Sequence, residues 1–380
     1  MVRQFKVLVL VLASWSFSSA SRAEAQERGS RRITFPNVPD YLTLKCDLHQ
    51  HSVFSDGSVW PDIRVEEAVK DGLDAISLTE HLEYQPHRED IPHEDRNRSY
   101  ELARELARDH DLLVVHGSEI TRDMPPGHAN AIFIRDANTI LQEDAMGAFR
   151  EAHSQGAFIF WNHPDWVEQA PDGIARLTPL HRQLIDERLL HGIEVVNEQT
   201  ISEEAFQIAL DEGLTVLGTS DIHGLVDWEF DVPGGGHRPI TLVFAKERTS
   251  EAIREALFAG RTVVWYRNQL IGLPEFVEPL LLASIVVRGA RYLEDSKVVE
   301  VTIENLSDAS FSLRNLGDVS FQRSTDIVTL APHEETTLGV KGASLGERLE
   351  LRFEVENALV APRKHPEIRL ETWFDAEVLR

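Results

Sequence analysis

His49 and His51 sit two residues apart at the end of the run 44–51, which reads as a short buried strand. Leu44, Cys46 and Leu48 fall on one face of that run, and Lys45, Asp47 and His49 on the other. Side chains alternate across a strand, so residues at i and i+2 project to one side and can offer two imidazoles to one metal ion. Asp56, on the polar turn that Asp56-Gly57 closes, can bind a neighbouring ion. Asp221 and His223 repeat the i, i+2 spacing far down the chain. Glu119 adds a carboxylate able to bridge ions, and His81, His128 and His163 add three more imidazoles. These nine N/O ligands, six imidazoles and three carboxylates, are too many for one ion. They suit two to three first-row divalent cations such as Zn, Mn or Fe; a structural zinc site would use four ligands, commonly including Cys. Ions roughly 3.5–4 Å apart hold a shared water, lower its pKa toward neutrality and take up charge developing on a phosphoryl group.

Ligands so far apart in the chain need a scaffold that gathers them. Strand-like runs occur at 75–78, 112–116, 129–134, 157–161, 192–196, 215–218 and 240–245. Helical patterns at 61–71, 99–110, 143–154, 177–190, 203–212 and 250–259 fall between most of them, several closed by Gly. Repeated strand-helix units imply parallel strands with right-handed crossovers, hence an α/β barrel or an open sheet. Nearly all the candidate ligands fall just after a predicted strand, and in parallel α/β folds those strand ends converge on one face. After Pro279 helical periodicity stops, and short alternating runs separated by turn residues imply a small antiparallel sandwich of immunoglobulin-like type over 280–380.

The 380 residues, 42% hydrophobic and 27% charged, are ordinary for a soluble globular protein. A formal net charge of -25 disfavours nucleic acid and anionic membranes as partners. Arg3 and Lys6, an apolar stretch at 7–15 and Ala23-Glu24-Ala25 read as a signal peptide over 1–25, so the mature chain is expected to be secreted or periplasmic and free of the membrane. Residues 26–40 read as a linker before a 41–279 catalytic domain. Cys46 is the only cysteine and reads as a small core residue.

The motifs Asp47-Leu48-His49-Gln50-His51-Ser52 through Ser55-Asp56-Gly57, Thr79-Glu80-His81, Gly117 to Glu119 with His128 and Asn162-His163, and Ser220-Asp221-Ile222-His223 together resemble the PHP (polymerase and histidinol phosphatase) superfamily. The resemblance covers about 44–270. It implies a distorted (β/α)7 barrel carrying a trinuclear metal centre. It would place His49, His51, Glu119 and Asp221 on one ion, Asp56, His81 and His223 with a shared Glu119 on a second, and Glu119, His128 and His163 on a third.

The activity expected is hydrolysis of a small-molecule phosphate ester by metal-activated hydroxide. A scarcity of basic residues near the ligands favours diesters over dianionic monoesters. A carbamate or amide hydrolase, or a binding scaffold with an inert barrel, are the alternatives. Asp221, His223 and Glu119 are the catalytic candidates, with Arg122, three residues beyond Glu119, as a phosphate holder. Weaker candidates are His237 and Arg238, Trp161, Trp166 and Trp228 as pocket walls, and Asn197 as an orienting group. Asp47 and Glu80 are possible acceptors for ligand histidines, and Asp165 and Asp227 possible general acids. Gly234-Gly235-Gly236 lacks the Lys and helix of a nucleotide cradle and reads as a flexible lid over the site.

Overall fold

The computed structural model describes residues 32–293, 296–342 and 348–373. The predicted signal segment lies outside them. Eleven strands build the first sheet region: β1 (Leu42–Gln50), β2 (Ala75–Leu78), β3 (Leu113–Ile120), β4 (Ala129–Ile132), β5 (Phe158–Trp161), β6 (Gly192–Asn197), β7 (Thr200–Ile201), β8 (Thr215–Thr219), β9 (Ile240–Ala245), β10 (Thr262–Tyr266) and β11 (Gln269–Gly272). Helices Pro61–Asp71 and Glu203–Glu212 match the sequence expectation, and the others differ from it by a few residues at their ends. Helix Pro61–Asp71 opens with Pro in its first turn and closes at Gly72, whose φ of 69° suits a residue without Cβ.

β1, β2 and β3 pair in parallel, as do β5, β6 and β8. β4 departs from the parallel expectation and runs antiparallel to both β3 and β5. Only residues 121–128 join β3 to β4, too few for a crossover helix. The chain leaving β8 returns to β1: the Asp221 N–H donates to the His49 carbonyl (2.9 Å) and the His51 N–H to the Ile222 carbonyl (3.1 Å). The strands β1-β2-β3-β4-β5-β6-β8 therefore curl round on themselves, and the Asp221-His223 pair is brought beside His49 and His51. Hydroxyls hold β8 from behind. Thr241 on β9 accepts from the Gly218 N–H (3.0 Å) and donates to the Gly218 carbonyl (2.8 Å), and Thr262 on β10 donates to the Val216 carbonyl (2.7 Å). A Cβ on Gly218 would lie 2.2 Å from Val264, so only glycine permits this approach.

β9 runs antiparallel to the first half of β1, and β10 and β11 extend the sheet outward. The hairpin between β10 and β11 turns on Arg267 and Asn268, both at positive φ (45° and 63°), the geometry of a two-residue primed turn. The next helix, Pro274–Ser284, spans the predicted domain boundary and carries Pro279 inside it. The sandwich follows from Ile285 as two four-stranded antiparallel sheets. One is β12 (Ile285–Tyr292), β13 (Val299–Asn305), β17 (Glu335–Lys341) and β15 (Ser320–Phe321). The other is β16 (Ile327–Leu330), β14 (Phe311–Asn315), β18 (Arg348–Val355) and β20 (Glu367–Trp373). Alternate residues of β13 and β18 are buried, as two facing sheets require.

The two domains share a core. β19 (Ala358–Leu359) adds in parallel to β11. Asn357 donates to the carbonyls of Asn268 (2.6 Å) and Ser310 (2.8 Å). The segment read as a linker is not loose where it is described: Ile33, Phe35 and Val38 are buried, and Phe35 packs edge-on against Trp265. Among the described residues no helix is long and apolar enough to cross a membrane.

Candidate metal centre

The nine predicted ligands converge in one cup. His49 and His51 leave the end of β1 on one side of the strand, and their Nε2 atoms face each other at 3.0 Å. Oδ1 of Asp221 lies 3.0 Å from both. Glu119, from the end of β3, is fully buried at the centre. Its Oε2 is 2.8 Å from Nδ1 of His81, 3.5 Å from Nε2 of His51 and 3.7 Å from Nε2 of His49. Its Oε1 is 2.7 Å from Nδ1 of His128 and 3.7 Å from Nε2 of His163. Asp56 lies between His223 (3.2 Å) and His81 (3.3 Å). His163 and Asp221 hold positive φ (30° and 47°), backbone strain of the kind that collects at functional positions.

These donors fit divalent cations. Both oxygens of Glu119, and Oδ1 of Asp56 and of Asp221, are buried without a hydrogen-bond partner. Orphaned acceptors crowded by imidazole nitrogens are costly unless a cation takes up the lone pairs. Three groups of ligand atoms lie mutually within 4.8 Å: His51, Asp56, His81 and His223; His49, His51 and Glu119; His81, Glu119 and His128. This grouping differs from the one the resemblance implies. His51 joins the Asp56 group, His81 joins the His128 group, and His163 stands slightly apart, 4.0 Å from Asp221.

The imidazoles and carboxylates of the cup act on one another's charge. Burial disfavours the charged carboxyls of Glu119 and Asp221, but the imidazoles against them outweigh it and hold both well below the ordinary range: His81 and His128 for Glu119, His49 for Asp221. Burial, with His223 and His81 alongside, pushes His51 down to about 3. Burial is overcome at His223, where the Asp56 carboxylate 3.2 Å away carries the imidazole up to about 9.

A residue the sequence reading missed braces the ligands. Glu194, buried in β6, accepts hydrogen bonds from Nδ1 of His49 (2.7 Å), the Thr219 hydroxyl (2.6 Å), the His163 N–H (2.8 Å) and Asn197 (2.8 Å). A lone acid inside the apolar strand Gly192–Asn197 was its signal. Asn197 also donates to Asp221 (3.2 Å), the orienting role expected of it. Glu80 reaches a ligand histidine only through Ser55, whose hydroxyl lies 3.2 Å from Nδ1 of His51. Asp47 faces away, bonding Ser220 and Arg238.

Several candidates lie elsewhere. Arg122, expected to hold a phosphate, lines neither space described below and instead pairs with Glu83 (2.9 Å) and donates to the carbonyls of Gln142 and Glu143. Asp227 pairs with Lys70. Arg238 is buried between Asp47 and Asp71. Trp161 is buried against His181, and Trp228 is 79% exposed. The glycine loop is not a lid over the cup. Gly235, Gly236 and His237 line a different cleft near the domain junction, with Trp265 and Asp308.

The cup opens into a cavity of about 330 Å³, lined beyond the ligands by Asp165, Trp166, Val167, Asn197, Glu198 and Thr200. Burial pushes the Asp165 carboxyl up. Trp166 lies 5.1 Å from the ring of His163 and 5.6 Å from that of His128. On its other side is a second hollow lined by Tyr84, Thr121, Asp123, Glu168 and others. No Lys or Arg lines either space.

Residues 285–371 match the family of Ig-like domains. None of the curated proteins matches the chain. One solved structure parallels nearly all of it, a two-domain protein from Bacteroides vulgatus described as containing a predicted PHP-like metal-dependent phosphoesterase. It is 43% identical, with a TM-score of 0.84 over 90% of this chain and 99% of that one. Two others resemble it too weakly to carry an argument. A protein from Bifidobacterium adolescentis, provisionally titled a metal-dependent phosphoesterase, is 17% identical over 47% of this chain and 88% of that one, with a TM-score of 0.38. PsfC from Pseudomonas syringae is 15% identical over 59% and 91%, with a TM-score of 0.42. With its curled α/β barrel, its nine gathered candidate ligands and a two-domain relative this similar, the chain belongs to the PHP superfamily, its barrel followed by an Ig-like domain.

Proposed function

We propose that the protein is a metal-dependent hydrolase of phosphate esters, and of diesters ahead of monoesters. The observation that carries the reading is Glu119: a fully buried carboxylate with neither oxygen hydrogen-bonded, ringed by imidazoles. Two to three divalent cations, Zn, Mn or Fe, would be held by His49, His51, Asp56, His81, Glu119, His128, His163, Asp221 and His223, and would lower the pKa of a water and neutralise phosphoryl oxygens. The chain's own residues orient and enclose. Glu194 accepts from Nδ1 of His49, which keeps the Nε2 lone pair facing the cup. Asn197 steadies Asp221, and Trp166 and Val167 wall the cavity. In the reaction, the water oxygen bonds to phosphorus, the ester P–O bond breaks, and a proton from water ends on the departing alcohol.

The description of the Bacteroides vulgatus relative supports a phosphate ester as substrate. The absence of Lys and Arg from the cavity lining supports the diester, since a dianionic monoester gains more than a monoanionic diester from charged donors beside the phosphate. The N-terminal pattern supports export, with a mature chain beginning near Gln26.

The test is turnover by the metal-loaded protein on nitrophenyl phosphate, bis(nitrophenyl) phosphate and an aryl carbamate, beside elemental analysis. Diester turnover above monoester is expected. It should vanish in His81→Ala and Asp221→Ala, together with part of the bound metal. Turnover of the carbamate alone would replace the reading, and undiminished turnover in both variants would remove the cup from the chemistry.

A further inference from the structure

We infer that one of the two alcohols of the preferred phosphodiester carries a fixed positive charge, in the manner of a quaternary ammonium alcohol. The inference rests on the phosphodiesterase reading and concerns the same cavity. That space has two kinds of wall. Its floor is the ligand set, including Asp221, 6% exposed, with Oδ1 unpartnered. Its mouth is formed by Trp166, Asp165 and Glu198.

Three features of the mouth point the same way. Trp166 is 38% exposed although it packs beside His163 and His128, so an indole remains available to a ligand at the cavity edge. The indole face attracts cations through its quadrupole, and more strongly where water is excluded. Asp165 and Glu198 flank that space, and among the described residues neither forms a salt bridge with Lys or Arg. A second anionic group on the substrate would be repelled here, and a cationic one attracted.

The whole molecule agrees with its cavity. A net charge of -25 repels anions at long range. A phosphodiester bearing one ammonium group is a zwitterion of zero net charge. It approaches without that penalty, then presents phosphate to the floor and ammonium to the mouth. A space of about 330 Å³ holds a phosphate with a small head group.

The experiment compares nitrophenyl phosphorylcholine with nitrophenyl 3,3-dimethylbutyl phosphate, its uncharged carbon isostere, on the metal-loaded full chain. A kcat/KM ratio of about ten or more in favour of the cationic substrate is expected. The ratio should fall toward one in Trp166→Leu and in Glu198→Gln. Choline alone, titrated by calorimetry, should bind the wild type and bind Trp166→Leu at least tenfold more weakly. Equal rates on the two substrates, or a ratio unchanged in both variants, would overturn the inference and leave the phosphodiesterase reading standing. Failure of both substrates and of bis(nitrophenyl) phosphate would instead defeat that reading and this inference together.

Discussion

Replacing Glu194 by Gln changes one oxygen to an NH2 group and leaves the shape of the side chain intact, yet every hydrogen bond to Glu194 described above comes from a donor. If the amide nitrogen takes the Oε2 position, it meets the His163 N–H and the Asn197 amide. Asn197 cannot simply flip, because its NH2 also serves Asp221. A buried N–H is then stranded, at about 1–3 kcal/mol. If the amide nitrogen takes the Oε1 position, Nδ1 of His49 must become an acceptor, which moves the ring proton to Nε2. That nitrogen faces His51 and Asp221 and would no longer offer a lone pair to a cation. Either orientation weakens metal binding, by roughly 10–100-fold for a lost partner of this kind, or about 1.4–2.8 kcal/mol. The assay is metal retention by Glu194→Gln after dialysis against graded chelator, with kcat/KM measured on the same samples. Metal retention and kcat/KM both equal to wild type would refute the role assigned to Glu194.

The remaining predictions concern acid stability and the domain junction. His116, 9% exposed and stacked on Tyr100, is pushed by burial down to about 4, as is His181. Their folded values lie below the unfolded one, so the stability they contribute is complete above about pH 6.5 and is lost as pH falls toward 4, by up to about 3 kcal/mol each. In His116→Phe, which keeps the stack and removes the proton site, urea denaturation midpoints should fall less between pH 7 and pH 4.5 than in wild type. A parallel fall would contradict this. Asn357→Ala removes both donations to the Asn268 and Ser310 carbonyls, and the bond that its Oδ1 accepts from the Ser312 N–H (2.9 Å). It should cost about 2 kcal/mol or more and split calorimetric melting into two transitions, one per domain. A single transition at the wild-type temperature would show that the shared apolar core alone couples the domains.

The convergence of the nine candidate ligands was legible from residue types and spacing. Alternation across a strand forces His49 and His51 to one side, and the i, i+2 pair of Asp221 and His223 repeats the signal. Strand-helix repetition and the loss of helical period after Pro279 likewise revealed an α/β domain followed by a sandwich. Other features depended on contacts between segments distant in sequence. Glu194 lies 145 residues from His49 and looked only like an acid in an apolar strand until β6 was placed beside β5 and β8. Arg122 looked suited to phosphate beside Glu119, but its guanidinium geometry is set by Glu83 and by the carbonyls of Gln142 and Glu143. The Gly234-Gly235-Gly236 loop follows His223 closely in the chain, yet it folds back toward Trp265, away from the cup. Local sequence specifies which way a side chain points from its own strand. Which partner it meets depends on how the strands are ordered and where the sheet closes, and here that closure is made by the chain after β8 returning to β1 and by the hydroxyls of Thr241 and Thr262.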